Sequence, residues 1–245
     1  MRTFLTFFSF IMFLLLSIPV CLVLKLIGIF NKRFCATVSQ PIVNFGFRVV
    51  MACAGMKLTC LGLENIPKGT AVLYTGNHRS YADIPIIYMT VPGPTGFIAK
   101  DQIRKVPSLS WWMTNMNCLF LNRKDMRSGM KVILAAIDNI KAGYSMAVMP
   151  EGTRNHKEEM LPFKEGTFKI ALKTGCPIIP VAITNSDSIY ELQKPFVRSA
   201  KVIVHYGKPI YPKDLTPEEA KTIGAHVRDI IAEMLKEDAE LQDKK

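Results

Sequence analysis

No aspartate or glutamate occurs before Glu64, although six lysines and arginines do. The opening stretch is therefore apolar and purely basic, a composition suited to lying against an anionic lipid surface. Paired cysteines are missing too. Cys21, Cys35, Cys53, Cys60, Cys118 and Cys176 are scattered through apolar surroundings, and none forms a Cys-x-x-Cys pair. That pattern indicates neither a zinc site nor a disulfide framework, and it reads as small buried hydrophobes in a reducing compartment. No Gly-x-Ser-x-Gly elbow is present, which argues against a serine nucleophile of the hydrolase kind. Helix-turn-helix, zinc-finger and RNA-reading signatures are absent, and the basic residues are spread along the chain. A net charge of +11 then points to an anionic membrane surface, a phosphorylated substrate or an acidic carrier protein rather than to nucleic acid. There is no internal repeat and no long linker.

What is there begins with an apolar run. A chain of 245 residues allows one domain plus an appendage. Phe4 to Leu24 is 21 residues without a charge, ~31 Å long as a helix, enough to cross a bilayer core. Lys25, Lys32 and Arg33 follow it whereas Arg2 stands nearly alone before it, so the positive-inside rule puts the C-terminal side in the cytoplasm. Ser17-Ile18-Pro19-Val20-Cys21 lacks a small-x-small cleavage pattern, which favours a retained anchor over a signal peptide. Ile42 to Met56 is a second apolar stretch, interrupted by Gly46 and Arg48, with the character of an interfacial or packed helix. Pro19 is placed to bend the first helix.

From Lys57 the pattern becomes short strands alternating with helices. Strands are expected at 57–61, 70–74, 96–99, 118–121, 145–149, 178–183 and 202–206, and helices after Asp83, at 107–116, at 128–142, before Gly175 and from Thr216 to about Leu235. Thr216-Pro217-Glu218-Glu219 is a helix start with a cap, Pro at N1 and Glu at N3. This alternation implies an α/β domain with a mixed, largely parallel sheet flanked by helices. The organisation expected is an anchoring segment over 1–56, an α/β domain over 57–235 and a charged tail over 236–245. Trp111-Trp112 and Met113 read first as core, and alternatively as a surface for an acyl chain or membrane. Pro180 is expected at a sheet edge or strand start.

Two polar turns carry the chemistry-bearing residues. One strand runs out into Asn77-His78-Arg79-Ser80-Tyr81-Ala82-Asp83, and a second into Pro150-Glu151-Gly152-Thr153-Arg154; a third ends in Asn122-Arg123. Strand ends of this kind are where α/β proteins place ligands. Five positions on one helix would set His78 and Asp83 ~140° apart. Pairing therefore requires His78 to precede the helix, with Asp83 at its cap or first turn. In that arrangement Asp83 accepts from one imidazole nitrogen and leaves the other as a base. A loop histidine beside an N-cap is the plainer reading of the same spacing. Arg154 and Arg123 suit phosphate oxygens, Gly152 allows close backbone approach, and Thr153 offers a hydroxyl. Glu151 has two open roles, contact with an acceptor hydroxyl or orientation of Arg154 and the turn. Lys100 and Lys164 are additional cations; Arg79 and Tyr81 are assigned no role, and His156, His205 and His226 show no partner at a recognisable spacing. No metal or organic cofactor is implied.

These stretches, with Phe120-Leu121-Asn122-Arg123 and Pro177-Ile178-Ile179-Pro180-Val181, occur in the order and spacing of the glycerolipid acyltransferase blocks. Over roughly 57–210 the chain resembles the 1-acyl-sn-glycerol-3-phosphate acyltransferases, with Asn122 where an Asp is common. The resemblance implies acyl transfer from acyl-CoA or acyl-carrier protein to the sn-2 hydroxyl of lysophosphatidic acid, giving phosphatidic acid. His78 and Asp83 would be catalytic, and Arg123, Glu151, Gly152, Thr153 and Arg154 would bind substrate. It also implies membrane lipids as partners and an N-terminal helical pair seated in one leaflet, and with the charge asymmetry around the first apolar run the catalytic domain is expected on the cytoplasmic side. Another lysolipid or glycerol 3-phosphate as acceptor, a lipid thioesterase, and a non-catalytic basic surface binder are the alternatives.

Overall fold

The structure, a computed structural model, describes residues 1–157 and 159–243. Its helices in chain order are Arg2–Leu16 (α1), Ile18–Phe30 (α2), Lys32–Ala54 (α3), Asp83–Thr90 (α4), Pro107–Asn115 (α5), Met126–Lys141 (α6), Lys169–Thr174 (α7), Pro217–Lys221 (α8) and Ile223–Asp243 (α9). The strands are Lys57–Leu61 (β1), Leu73–Gly76 (β2), Thr95–Lys100 (β3), Leu119–Leu121 (β4), Ser145–Val148 (β5), Ile178–Thr184 (β6) and Lys201–Tyr206 (β7). They form one sheet in the order β1-β7-β6-β2-β5-β3-β4. From β6 to β4 every neighbouring pair is parallel, while β7 runs antiparallel to β6 and β1 parallel to β7. This is the mixed, largely parallel sheet that the alternation implied.

Side chains alternate across the sheet with a period of two, as the pleat requires. Tyr74, Ala147 and Ile179 face a core shared with Ile86 of α4, Trp112 of α5 and Val43 of α3. Their neighbours Leu73, Met146 and Ile178 face the opposite core, with Ile137 of α6, Ala171 of α7 and Ile231 of α9. Helices thus cover both faces, which is why the central strands are apolar throughout. β2 leads to α4 on one face and β5 to α7 on the other, so the two strands part company at their C-terminal ends. A crevice opens at such a divergence.

The uncharged run does not form one continuous helix. It breaks at Ser17, and α1 and α2 meet at a bend of 48°. Pro19 has no N–H to continue the ladder and its ring crowds the carbonyl four residues back; the Ser17 N–H turns back to Phe13 and Leu15. Among the described residues no single helix is long and apolar enough to cross a membrane, although the bent pair passes by length and composition. α1 and α2 are fixed to the α/β body. Trp112 Nε1 donates to Ser17 Oγ at 2.9 Å, Ser108 Oγ to the Leu14 carbonyl at 2.7 Å, and Asn115 Nδ2 to the Cys21 carbonyl at 3.2 Å. Gly46 of α3 lies under Phe13, where a Cβ would sit 2.6 Å from the ring. Away from these contacts Phe4, Ile11, Leu15, Leu16, Leu26, Ile29 and Phe30 are exposed.

Other expectations need correction. The second apolar stretch is the end of a longer helix, α3, which starts at Lys32 under an Asn31 cap and contains Pro41. The Thr216 capping box forms, but α8 ends at Lys221 and α9 starts anew at Ile223. α9 then continues to Asp243, well past Leu235, because Asp238 is buried and tied to the sheet through His205 Nδ1 (3.1 Å) and Thr184 Oγ1 (3.1 Å). His205 therefore has a carboxylate partner, 33 positions away and invisible to local spacing. Lys244 and Lys245 of the expected tail lie outside the described residues. Pro180 sits in β6, an interior strand, not at an edge. It is tolerated because the β6–β7 ladder begins only at Val181, as β7 runs out into Gly207.

Two glycines test the packing with opposite signs. Gly46→Ile should force α1 off α3 and cost about 1–3 kcal/mol, seen as a lower melting temperature. Gly129 of α6 has open space at its Cβ position, so Gly129→Ala should stabilise by about 0.5–1 kcal/mol.

Candidate active site

β2 and β5 are neighbours, with Thr75 opposite Val148, so the turns that follow them emerge side by side. Asn77 fixes the first turn's origin. Its side chain both donates to the Ile183 carbonyl (2.9 Å) and accepts from the Ile183 N–H (2.8 Å), extending the ladder to β6 by one side-chain rung. His78 follows, before α4, and Asp83 opens that helix, as pairing requires. Asp83 is fully buried. Its Oδ2 accepts from His78 Nδ1 at 2.8 Å, the Arg79 N–H at 2.8 Å and the Ser80 N–H at 2.9 Å; its Oδ1 accepts from Ser186 Oγ at 2.6 Å. A buried carboxylate with this many donors is stabilised as an acceptor, and its place at a helix start adds the dipole. Nδ1 is therefore the protonated nitrogen of the neutral ring, and Nε2 carries the lone pair. The His78 side chain keeps 17% exposure, and Nε2 makes no hydrogen bond among the described residues.

The second turn locks onto the first. Glu151 is buried, with Oε1 accepting from the His78 N–H at 2.9 Å and Oε2 from the Leu161 N–H at 3.0 Å. The His78 carbonyl in turn accepts from the Asn155 N–H at 2.8 Å. Both Glu151 oxygens are thus occupied by backbone, and neither contacts Arg154. Gly152 has φ +75°, and the Lys164 ammonium lies 2.6 Å from where its Cβ would be. Lys164 therefore belongs to the site. Thr153 is exposed. Arg154 lies over the Tyr81 ring, 3.5 Å from its centroid, with Nη1 3.5 Å from Glu191 Oε1.

Arg123 is not drawn into this cluster. It is exposed in the turn after β4, at the same end of the sheet but three strand spacings from β2, ~14 Å. It makes no ion pair among the described residues, and partial desolvation lowers its guanidinium pKa. Lys100, at the end of β3, is also exposed. Beneath α4 an apolar cavity of about 60 Å³ is lined by Phe13, Phe47, Ile84, Tyr88, Trp112 and Met113, among others; Ile84 directly follows Asp83. Burial pushes the Cys118 thiol on its wall up to about 11, which leaves it protonated at neutral pH. Among the described residues no cluster of three or more His, Cys, Asp or Glu suits a metal ion.

Sequence reasoning missed Asn77, Tyr81, Ser186 and Glu191. Tyr81 was in view, but its stacking on an arginine 73 positions away has no local sign. Ser186 and Glu191 come from the loop after β6, which carries no motif.

A family model described as Acyltransferase matches residues 57–184, β1 through β6 with both turns. The chain belongs to the acyltransferase family. Among its relatives is the 1-acyl-sn-glycerol-3-phosphate acyltransferase of Borreliella burgdorferi, 31% identical over 188 residues that cover 77% of this chain and 75% of that protein. The Salmonella typhimurium protein of the same name is 27% identical over 242 residues, covering 95% of this chain and 96% of its own. In three dimensions this acyltransferase is similar to the 1-acyl-sn-glycerophosphate (LPA) acyltransferase PlsC of Thermotoga maritima, with a TM-score of 0.79 and 25% identity over 100% of this chain and 95% of that one. Ser186 and Glu191 fall beyond the end of the matched family region.

Gly152→Ala would place a side chain in the left-handed region and against Lys164. About 1–2 kcal/mol of backbone strain should lower the melting temperature by roughly 2–8 °C, read by thermal unfolding of the purified protein.

Proposed function

We propose that this acyltransferase moves a fatty acyl group from a thioester to the sn-2 hydroxyl of 1-acyl-sn-glycerol 3-phosphate, giving phosphatidic acid. The observation that carries the reading is His78 Nδ1 held at 2.8 Å by buried Asp83, with Nε2 left open beside Arg154's turn. Nε2 takes the proton of the acceptor hydroxyl as its oxygen attacks the thioester carbonyl. Asp83 stabilises the imidazolium that forms, and the imidazolium returns the proton to the departing thiolate. The substrate's own hydroxyl is the nucleophile, so no acyl-enzyme is needed.

Arg154, with Lys164 above Gly152, holds the phosphate; Arg123 extends the cationic edge, and Thr153 adds a hydroxyl. Glu151 positions rather than binds, since its oxygens hold the two turns together. The small apolar cavity lined in part by Ile84 takes a few methylenes of the acyl chain. The donor is acyl-CoA or acyl-carrier protein, either of which suits a chain of net charge +11. The exposed apolar side of α1 and α2, with basic residues and no acidic ones, favours seating in one leaflet with the catalytic turns on the cytoplasmic side. No metal or organic cofactor takes part in these steps. The names of the relatives and of the structural neighbour support this choice of acceptor.

His78→Ala should lower kcat for phosphatidic acid formation by ~10²–10⁴ in a vesicle assay with lipid products identified by mass. A loss of less than threefold would remove His78 as the base. Arg154→Ala should raise KM for lysophosphatidic acid by roughly tenfold or more, the value of a charge-assisted hydrogen bond, while leaving KM for the thioester nearly unchanged. Equal effects on both substrates would separate Arg154 from the phosphate.

A further inference from the structure

A buried carboxylate beside a phosphate-binding arginine is an unexpected neighbour, because its charge repels the phosphate. The Glu191 side chain has no solvent exposure, yet it stands next to Arg154. Its geometry supplies a reason. Oε1 accepts from the Tyr81 N–H at 2.7 Å and faces Arg154 Nη1 at 3.5 Å; Oε2 accepts from Ser80 Oγ at 2.7 Å. Ser80 Oγ in turn accepts from the Ala82 N–H at 3.0 Å. One carboxylate therefore holds the middle of the His78–Asp83 turn and the end of the Arg154 side chain at once. Tyr81 completes the clamp, since the residue whose N–H Glu191 holds also supplies the ring on which the guanidinium lies.

We propose that Glu191 is a positioning residue that fixes the Arg154 guanidinium against Tyr81 and so sets the spacing between the His78 ring and the phosphate-holding group. An unrestrained arginine has many rotamers and loses them on binding. Restraint by stacking and a buried anion removes that cost before substrate arrives. The remaining guanidinium donors stay free for phosphate, since the pair engages Nη1 alone. The proposal rests on the reading of Arg154 as the phosphate-holding group, and its test separates the two.

The informative variant is Glu191→Gln. Its amide oxygen still accepts from the Tyr81 N–H, and its amide nitrogen can donate to Ser80 Oγ in place of the present Ser80 O–H donation, so both contacts to the turn persist while the charge facing Arg154 is lost. Two readouts apply. Arg154 labelling by phenylglyoxal, followed by peptide mass spectrometry without substrate, should be faster in Glu191→Gln than in wild type. KM for lysophosphatidic acid should rise about tenfold against a kcat change below about threefold, and the rise should vanish in an Arg154→Ala background, as coupled residues require. Unchanged labelling, a fall in KM, or an equal KM rise with Arg154 already removed would overturn the proposal. Faster labelling in Glu191→Gln, together with no KM effect of Arg154→Ala alone, would uphold the positioning and remove the phosphate reading instead. Glu191→Asp, which restores the charge on a shorter stem, should recover part of the slow labelling; labelling as fast as in Glu191→Gln would count against the tether.

Discussion

Asp83 is closed off from solvent and surrounded by donors: an imidazole, two backbone amides and the Ser186 hydroxyl. Burying a carboxylate costs several kcal/mol unless hydrogen bonds replace its water, and here they do so on both oxygens. The arrangement needs the chain to leave β2, pass three consecutive polar groups around one acceptor and enter α4 within a few residues. The His78 ring is oriented as a consequence. Asn77 serves the same end by tying the turn to β6, and Glu151 and the loop after β6 do so by binding its backbone or side chains.

That loop ties distant parts of the molecule together. Ser186 reaches Asp83, Asp187 pairs with Arg79 at 3.4 Å, and Glu191 holds Ser80, Tyr81 and Arg154. On its other side it meets the N-terminal helix. The Val197 N–H donates to Thr3 Oγ1 at 3.0 Å, and the Tyr190 ring meets Phe7 edge-on at 5.7 Å. The helix with the exposed apolar face thus touches the loop that braces the His78–Asp83 turn.

Much of this was legible in the residues because local chemistry dictates it. Short apolar runs bounded by turn residues gave the strands, and the Pro and Asp in Asp83-Ile84-Pro85 fixed where α4 could start and hence that His78 precedes it. The bend in the uncharged run from Phe4 was legible too, since Pro19 has no N–H to continue the helix there. Asp238 looked like part of a solvated tail because its partner His205 lies in a strand 33 positions earlier. Glu191 was unreadable for the same reason: its role depends on groups brought together only by the crossing from β2 through β5 to the loop after β6.

The orientation of the His78 ring decides the account most directly. Nitrogen-15 NMR of the imidazole in detergent or nanodiscs, at a pH where the ring is neutral, distinguishes its tautomers. The structure requires the proton on Nδ1 and an unprotonated Nε2, with that preference lost in Asp83→Ala, which removes the acceptor. A neutral ring protonated on Nε2, or a tautomer indifferent to Asp83→Ala, would contradict it.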